Sequence, residues 1–301
     1  SRRFLPSRIS PILPHPRPSI QLDYFPLRPH RPRWYNEPIH RKAKTILMNE
    51  TISKGLNSNQ LKLIAIIAMT IDHLTSVIFP GYPLNPGILL LHTIGRLTMP
   101  IMCFFIAEGY HYTHNVKHYA SRLFLFAVIS HFAYNFAFGI PFIPFQTTIF
   151  NQTSIIWSLA WGLVALAMFQ CERPWLKPWM KSLALAIICV ITFCSDWSCI
   201  AVLIIVYNGQ YRGDFRKQMT HMLGCVAMYA AIYILFINPV YGLLQMTVAL
   251  AIPLLRQYNG TRGKSKSMKW FFYLYYPLHL VLCGLLRIAI HGNIGVLIGG
   301  K

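Results

Sequence analysis

Two ionisable residues stand side by side inside the apolar run "AIIAMTIDHLTSVIF", residues 65–79: Asp72 and His73. Arg96, Glu108, His131, Asp196 and His279 fall inside or at the edges of other apolar runs, and His92 and Arg287 lie nearer their ends. A neutral imidazole is the natural general base near physiological pH, and a carboxylate reached from another helix can orient it. Neighbouring residues on a helix point about 100° apart, so Asp72 and His73 cannot act as a dyad along one face. One of them can turn to Arg96 while the other faces a cavity. An ionised side chain at mid-membrane costs about 2.5 to 3.5 kcal/mol, so such groups face a protein interior or a wet cavity and have partners.

The elements that must position these groups are long apolar runs. A hydrocarbon core of about 30 Å needs roughly 20 mostly apolar residues in a helix. Nine candidates emerge, at residues 61–79, 88–110, 119–138, 154–170, 179–195, 198–208, 219–237, 239–255 and 268–290, and re-entry of "IGVLIGG" would make a tenth. The expected fold is therefore all-α and polytopic, with about nine to ten transmembrane helices. The sixth candidate is short, and the second is expected to break near Gly95 or Pro100. The connections alternate in charge. "PGYPLNPG", residues 139–153, "DW" and "NP" carry no Lys or Arg, whereas Lys117, Arg122, Arg173, Lys177, Lys181, Arg212, Arg216, Lys217, Arg256, Arg262, Lys264, Lys266 and Lys269 cluster at the other ends. The positive-inside rule then puts the residues before 61 in the cytoplasm and the uncharged turns outside.

With a rise of about 1.5 Å per residue, Asp72 sits about 10 Å from the outer end of its span, Arg96 about 12 Å, His131 about 10 Å and His279 about 15 Å. Four polar groups on four helices share a level. Asp72 and Arg96 are the expected ion pair, and Glu108 lies near the opposite, basic end. Each has a plain reading as well. His131 can be an interhelical hydrogen-bonder, the Asp/Arg pair a structural bridge, Glu108 a group that snorkels to water, and Asp196 a carboxylate of an outer turn or mouth that needs little explanation. The aromatic "WFFYLYYP" is first of all an interfacial belt.

Composition agrees with a membrane protein. The chain has 301 residues, 54% of them hydrophobic, and only 8 are acidic, with a mean hydropathy of +0.43. The net charge of +20 is mainly topogenic, and it does not form the basic face of a nucleic-acid-binding domain. The seven Cys show no metal-ligand spacing, although Cys194 and Cys199 flank a short turn and could pair. Residues 1–47 form a basic Pro/Arg-rich segment with no helical period, which is expected to be disordered. Met48 opens a polar lead-in and reads as a natural start, which would leave residues 48–301 as one transmembrane domain.

"LKLIAIIAMTIDHL", "IGRLTMPIMCFFIAEGYHYTHN" followed by "YASRLFLFAVIS", the later "SDW" and the terminal "KWFFYLYYPLHLVL" together resemble the TraX family. The resemblance implies a polytopic protein of the bacterial inner membrane, related to transmembrane acyltransferases and to conjugative pilin acetylation. It implies transfer of an acetyl group from cytoplasmic acetyl-CoA to an acceptor at the outer side, either a protein N-terminus or a glycan of pilin-like or cell-envelope origin. Membrane lipids are its other expected partner, homo-oligomers are open, and no metal is implied. On that reading His73 deprotonates the acceptor or is acetylated transiently, with Asp72 and His279 beside it, and Arg96 or a backbone donor holds the oxyanion. Glu108, Tyr110, Lys117 and Arg122 stand at the inner end for the co-substrate. The rival class is a proton- or ion-coupled transporter using the same Asp/Arg/His cluster.

Overall fold

The protein is described here as a computed structural model covering residues 55–146, 151–263 and 268–295. The segment 1–47, the start at Met48 and most of "IGVLIGG" lie outside the described residues. Helix α1, Ser58–Ile78, begins with a reciprocal cap: the Asn57 side chain accepts from the Gln60 N–H at 3.0 Å, and the Gln60 side chain accepts from the Asn57 N–H at 2.9 Å. Asn85 caps α2, Pro86–Gly95, whose first residue is a proline that needs no N–H partner there. α3, Thr98–Tyr112, follows directly. The expected break therefore falls at Arg96 and Leu97, and Pro100 sits harmlessly in the first turn of α3.

α4 spans Val116–Phe138 and ends on Gly139, which adopts the left-handed φ of 67° that glycine accepts without strain. There follow α5 (Ile155–Phe169), α6 (Pro178–Thr192), α7 (Ile200–Gln210), α8 (Phe215–Phe236) and α9 (Pro239–Gln245). A 3₁₀ turn, Met246–Leu250, leads into α10 (Ala251–Arg256), and α11 covers Met268–His291. Among the described residues, six helices are long and apolar enough to cross a membrane: Ser58–Ile78, Pro86–Tyr112, Val116–Phe138, Phe215–Phe236, Pro239–Arg256 and Trp270–His291. The fold is thus all-α and multi-pass. Of the nine expected runs, six are these long helices and the other three are shorter apolar helices, α5, α6 and α7. At about 1.5 Å per residue, the 11-residue α7 covers only about half of a hydrocarbon core.

α11 packs on α4 and α1, and α1 packs on α2 and α3. α7 packs against α3, α5 and α8, and α8 carries α9. Helix ends alternate, so the N-terminus of α1, the C-terminus of α3 and the N-terminus of α4 share the basic end, while the C-terminus of α1 and the N-termini of α2 and α5 share the uncharged end. Large apolar side chains such as Val190, Leu235 and Phe236 are 77%, 73% and 79% exposed, as expected for groups solvated by lipid tails.

Candidate functional site

α1 and α11 bring His73 and His279 together. The His73 Nδ1 and His279 Nε2 atoms lie 2.8 Å apart and the rings are nearly coplanar in orientation, at 4°. The opposite nitrogen of His279, Nδ1, is 3.0 Å from the Tyr275 carbonyl, which can only accept. These contacts assign the tautomers: His279 donates from Nδ1 to Tyr275 and accepts at Nε2 from His73 Nδ1–H, so the lone pair of His73 lies on Nε2. Both imidazoles are buried, and Phe138 and Tyr276 set their edges against His73.

Asp72, pointing away from His73, is held from α2. Arg96 Nη2 donates to both Asp72 oxygens at 3.0 Å, and His92 Nδ1 donates to Asp72 Oδ1 at 2.8 Å. The approach requires Gly95, because a Cβ there would collide with the Asp72 side chain. Arg96 also donates from Nη1 to Gln245 Oε1 at 3.2 Å and from Nε to the His92 carbonyl at 3.3 Å. Asp72 therefore holds His92 as well as Arg96, and the five-donor guanidinium makes four hydrogen bonds among the described residues. The ion pair expected from depth is formed.

Asp196 is not an ordinary outer-turn carboxylate. The turn between α6 and α7 folds inward because Asp196 N–H donates to the Thr153 carbonyl at 2.9 Å and Gln152 N–H to the Cys194 carbonyl at 2.7 Å. Trp197 and Ser198 adopt left-handed φ values of 62° and 50°, costly for residues with a Cβ. Asp196 thereby joins Asp72, His73, His92 and Arg96 around a small polar cavity of about 50 Å³, further walled by Tyr229, Tyr233 and Gln245. Burial pushes the Asp196 pKa up to about 6 against the pull of Arg96, and Asp72 adds to the rise. Cys194 and Cys199 do not pair; both are free thiols. His131 makes a plain hydrogen bond, to the loop instead of to another helix: its Nε2 donates to the Phe142 carbonyl at 2.8 Å, away from the cluster. Arg287 is buried at the same end and donates to the Ile294 and Phe136 carbonyls.

A larger cavity of about 530 Å³ opens at the basic end. Lys62, Arg122 and Arg262 give it positive charge, and Phe105, Tyr258, Phe272 and Tyr273 give it aromatic walls. Lys62 Nζ lies 5.0 Å and 5.8 Å from the Phe105 and Phe272 ring centroids. The segment that brings Tyr258 and Arg262 is tied to the start of α1 by Leu56 N–H to Gln257 O at 2.9 Å and Ser58 N–H to Thr261 O at 2.9 Å. Glu108 lines this cavity, with Arg212 Nε donating to it at 2.7 Å. Arg122 also lines it, and its Nε is buried with no hydrogen-bond partner. Tyr110, which is buried, and Lys117, which is exposed, line neither cavity. A cationic, aromatic-walled opening with an unsatisfied guanidinium N–H can take an anionic ligand that carries an apolar or ring portion.

Sequence reasoning missed three members of the small cavity: His92, Gln245 and the inward role of Asp196. His92 lies four residues before Arg96, the spacing that puts two side chains on one helix face, which was the available signal. Gln245 and Asp196 had none, since each depends on how a distant segment folds back.

Comparison with known proteins follows this geometry. The family model described as TraX protein matches residues 57–287. The probable fimbrial assembly protein FimC, serogroup H1, of Dichelobacter nodosus is 31% identical over 233 residues, which cover 74% of this chain and 92% of that protein. Uncharacterized protein RP591 of Rickettsia prowazekii (strain Madrid E) is 39% identical over 69 residues, 23% of each chain. No solved structure matches the chain significantly.

Proposed function

The chain belongs to the TraX family, and from that premise we propose that it is a membrane-embedded acyltransferase, moving an acetyl group from acetyl-CoA at the basic end to an acceptor at the uncharged end. The observation that carries this reading is the His73–His279–Tyr275 chain, which leaves a lone pair on His73 Nε2 beside the small polar cavity. Acetyl-CoA would supply an activated thioester. Lys62, Arg122 and Arg262 would hold its phosphates, and the aromatic walls its apolar portion.

His73 then serves as the general base for the acceptor. His279 holds the His73 ring in place and shares the positive charge that develops when Nε2 takes a proton. Asp72 and Arg96 form a fixed neutral pair beside it, and His92, held by Asp72, is a second proton-handling group of the cavity. The printed name of the Dichelobacter nodosus relative, a probable fimbrial assembly protein, supports a pilin-like or envelope acceptor reached from outside. With the basic end in the cytoplasm, the two cavities face the two compartments that such a transfer needs.

The test is purified protein in proteoliposomes, with acetyl-CoA supplied on one side and release of the CoA thiol measured. Saturable acetyl-CoA binding together with thiol release that requires His73 is the expected result. No binding, combined with solute uptake driven by a proton gradient, would establish the transporter instead.

A further inference from the structure

Between the two cavities lies a layer of buried hydroxyls that satisfy nobody. Tyr134 on α4, Tyr276 on α11 and Ser154 at the start of α5 are 0%, 6% and 0% exposed. None of the three hydroxyls makes a hydrogen bond of ordinary geometry. An unsatisfied buried polar atom costs about 1 to 3 kcal/mol, and three in one neighbourhood are unusual. They are neighbours: the Tyr276 hydroxyl lies within weak hydrogen-bonding reach of the Ser154 side chain and the Ile155 backbone, and Tyr134 lies near Tyr276. Ser154 is also the N-cap of α5 and makes no capping bond, so the positive end of that 15-residue helix points the same way.

Their position in the chain places them between the two sites. Tyr276 lies one turn beyond Tyr273, which lines the large cavity, and its ring packs against His73 and His279 at centroid distances of 6.4 Å and 5.4 Å. Ser154 lies between Asn151 of the small cavity and Ile156 of the large one. Tyr134 lies two turns beyond Phe126 of the large cavity and packs on Phe138, which also touches His73. Arg96, the alternative donor, already makes four hydrogen bonds, to Asp72, Gln245 and His92.

Resting on the acyltransferase reading, we infer that the Tyr134, Tyr276 and Ser154 hydroxyls and the α5 N-terminus receive the carbonyl oxygen of the transferred acyl group. In the step itself the acceptor's lone pair forms a bond to the carbonyl carbon while the C=O π pair moves onto oxygen, where the hydroxyls donate to it. The pair then returns and the C–S bond breaks with its electrons on sulfur. The proton that His73 Nε2 took from the acceptor neutralises the thiolate. Donors that make no hydrogen bond of ordinary geometry in the resting protein give up little when they turn to this charge.

The test uses Tyr276→Phe, Tyr134→Phe, the double variant and Ser154→Ala in the full chain. If the hydroxyls only fill space, deleting them is neutral or stabilising, and kcat for thiol release with hydroxylamine as acceptor stays unchanged. As oxyanion donors, each is worth about 10- to 100-fold in kcat with little change in the KM for acetyl-CoA, while thermal stability holds or rises. A second readout needs no turnover: the infrared carbonyl band of bound 1-13C-acetyl-CoA is shifted to lower frequency in the wild type and returns toward the free value in the double variant. Wild-type binding and turnover with unchanged kcat and band position in every variant overturns the inference alone. A wild type that binds no acetyl-CoA overturns the acyltransferase reading together with it.

Discussion

The two ends of the bundle are built from the same helices and differ in kind. At the basic end, about 530 Å³ is enclosed by aromatic rings and positive side chains, and the Glu108–Arg212 salt bridge beside it has an Arg side chain still 32% exposed. At the uncharged end, about 50 Å³ is enclosed by two carboxylates, an arginine and histidines, and the Asp72–Arg96 pair is only 18% and 16% exposed. Room and weakly held charge suit binding of a large ligand. Little room and tightly held charge suit a reacting group that must meet fixed partners.

That contrast can be broken by substitution. His73→Ala should have the largest effect, lowering acetyl transfer about a thousandfold, the size expected of a lost general base, while acetyl-CoA binding measured by calorimetry persists. Retention of transfer by this variant would remove the uncharged end from the chemistry. Asp72→Asn comes next: it strands the Arg96 guanidinium and should cost about 3 kcal/mol in detergent unfolding, which Arg96→Met added to it should largely restore without restoring activity. Glu108→Gln should cost under about 1 kcal/mol, since Arg212 reaches water. Equal losses at the two ends would erase the difference in how charge is held.

At the basic end, Lys62→Ala should weaken acetyl-CoA binding about tenfold, equivalent to about 1.4 kcal/mol, and leave kcat alone. A fall in kcat with unchanged affinity would move Lys62 out of the binding role. The smallest effect belongs to Asp196. Its folded pKa of about 6 lies above the ordinary carboxylate value, so the folded state holds a proton that the unfolded chain has released. The stabilisation is fully present below about pH 4 and is lost as pH rises through 6. Asp196→Asn should flatten the part of the melting profile between pH 4 and 7 that this group causes, and a profile with its slope intact would assign that slope to another residue.

Much of the architecture was legible because lipid imposes it. The positions of the apolar helices follow from run length and interrupting charge, and the break at Arg96 follows from its glycine neighbour and nearby proline. Among the described residues the nine expected runs appear as six helices long enough to span and three shorter apolar ones, α5, α6 and α7. Depth along the bundle correctly brought together Asp72, Arg96, His73 and His279, because rise per residue is nearly constant. It failed for His131, because depth carries no information about which way a helix is turned. Tyr110 and Lys117, which the resemblance put at the co-substrate end, sit near the basic end but do not line the cavity there.

By itself, then, the sequence determined that the chain is an all-helical membrane protein of this family, with polar groups at one depth and positive charge at one end. Only the tertiary structure decided which partner each group has. Asp72 holds His92, His279 holds His73, and a strained turn carries Asp196 inward to complete the cavity. Hydropathy and helical rise act along the membrane normal and can be read residue by residue, whereas pairing depends on helix rotation and on loops returning from distant parts of the chain, which are set by packing among all the helices at once.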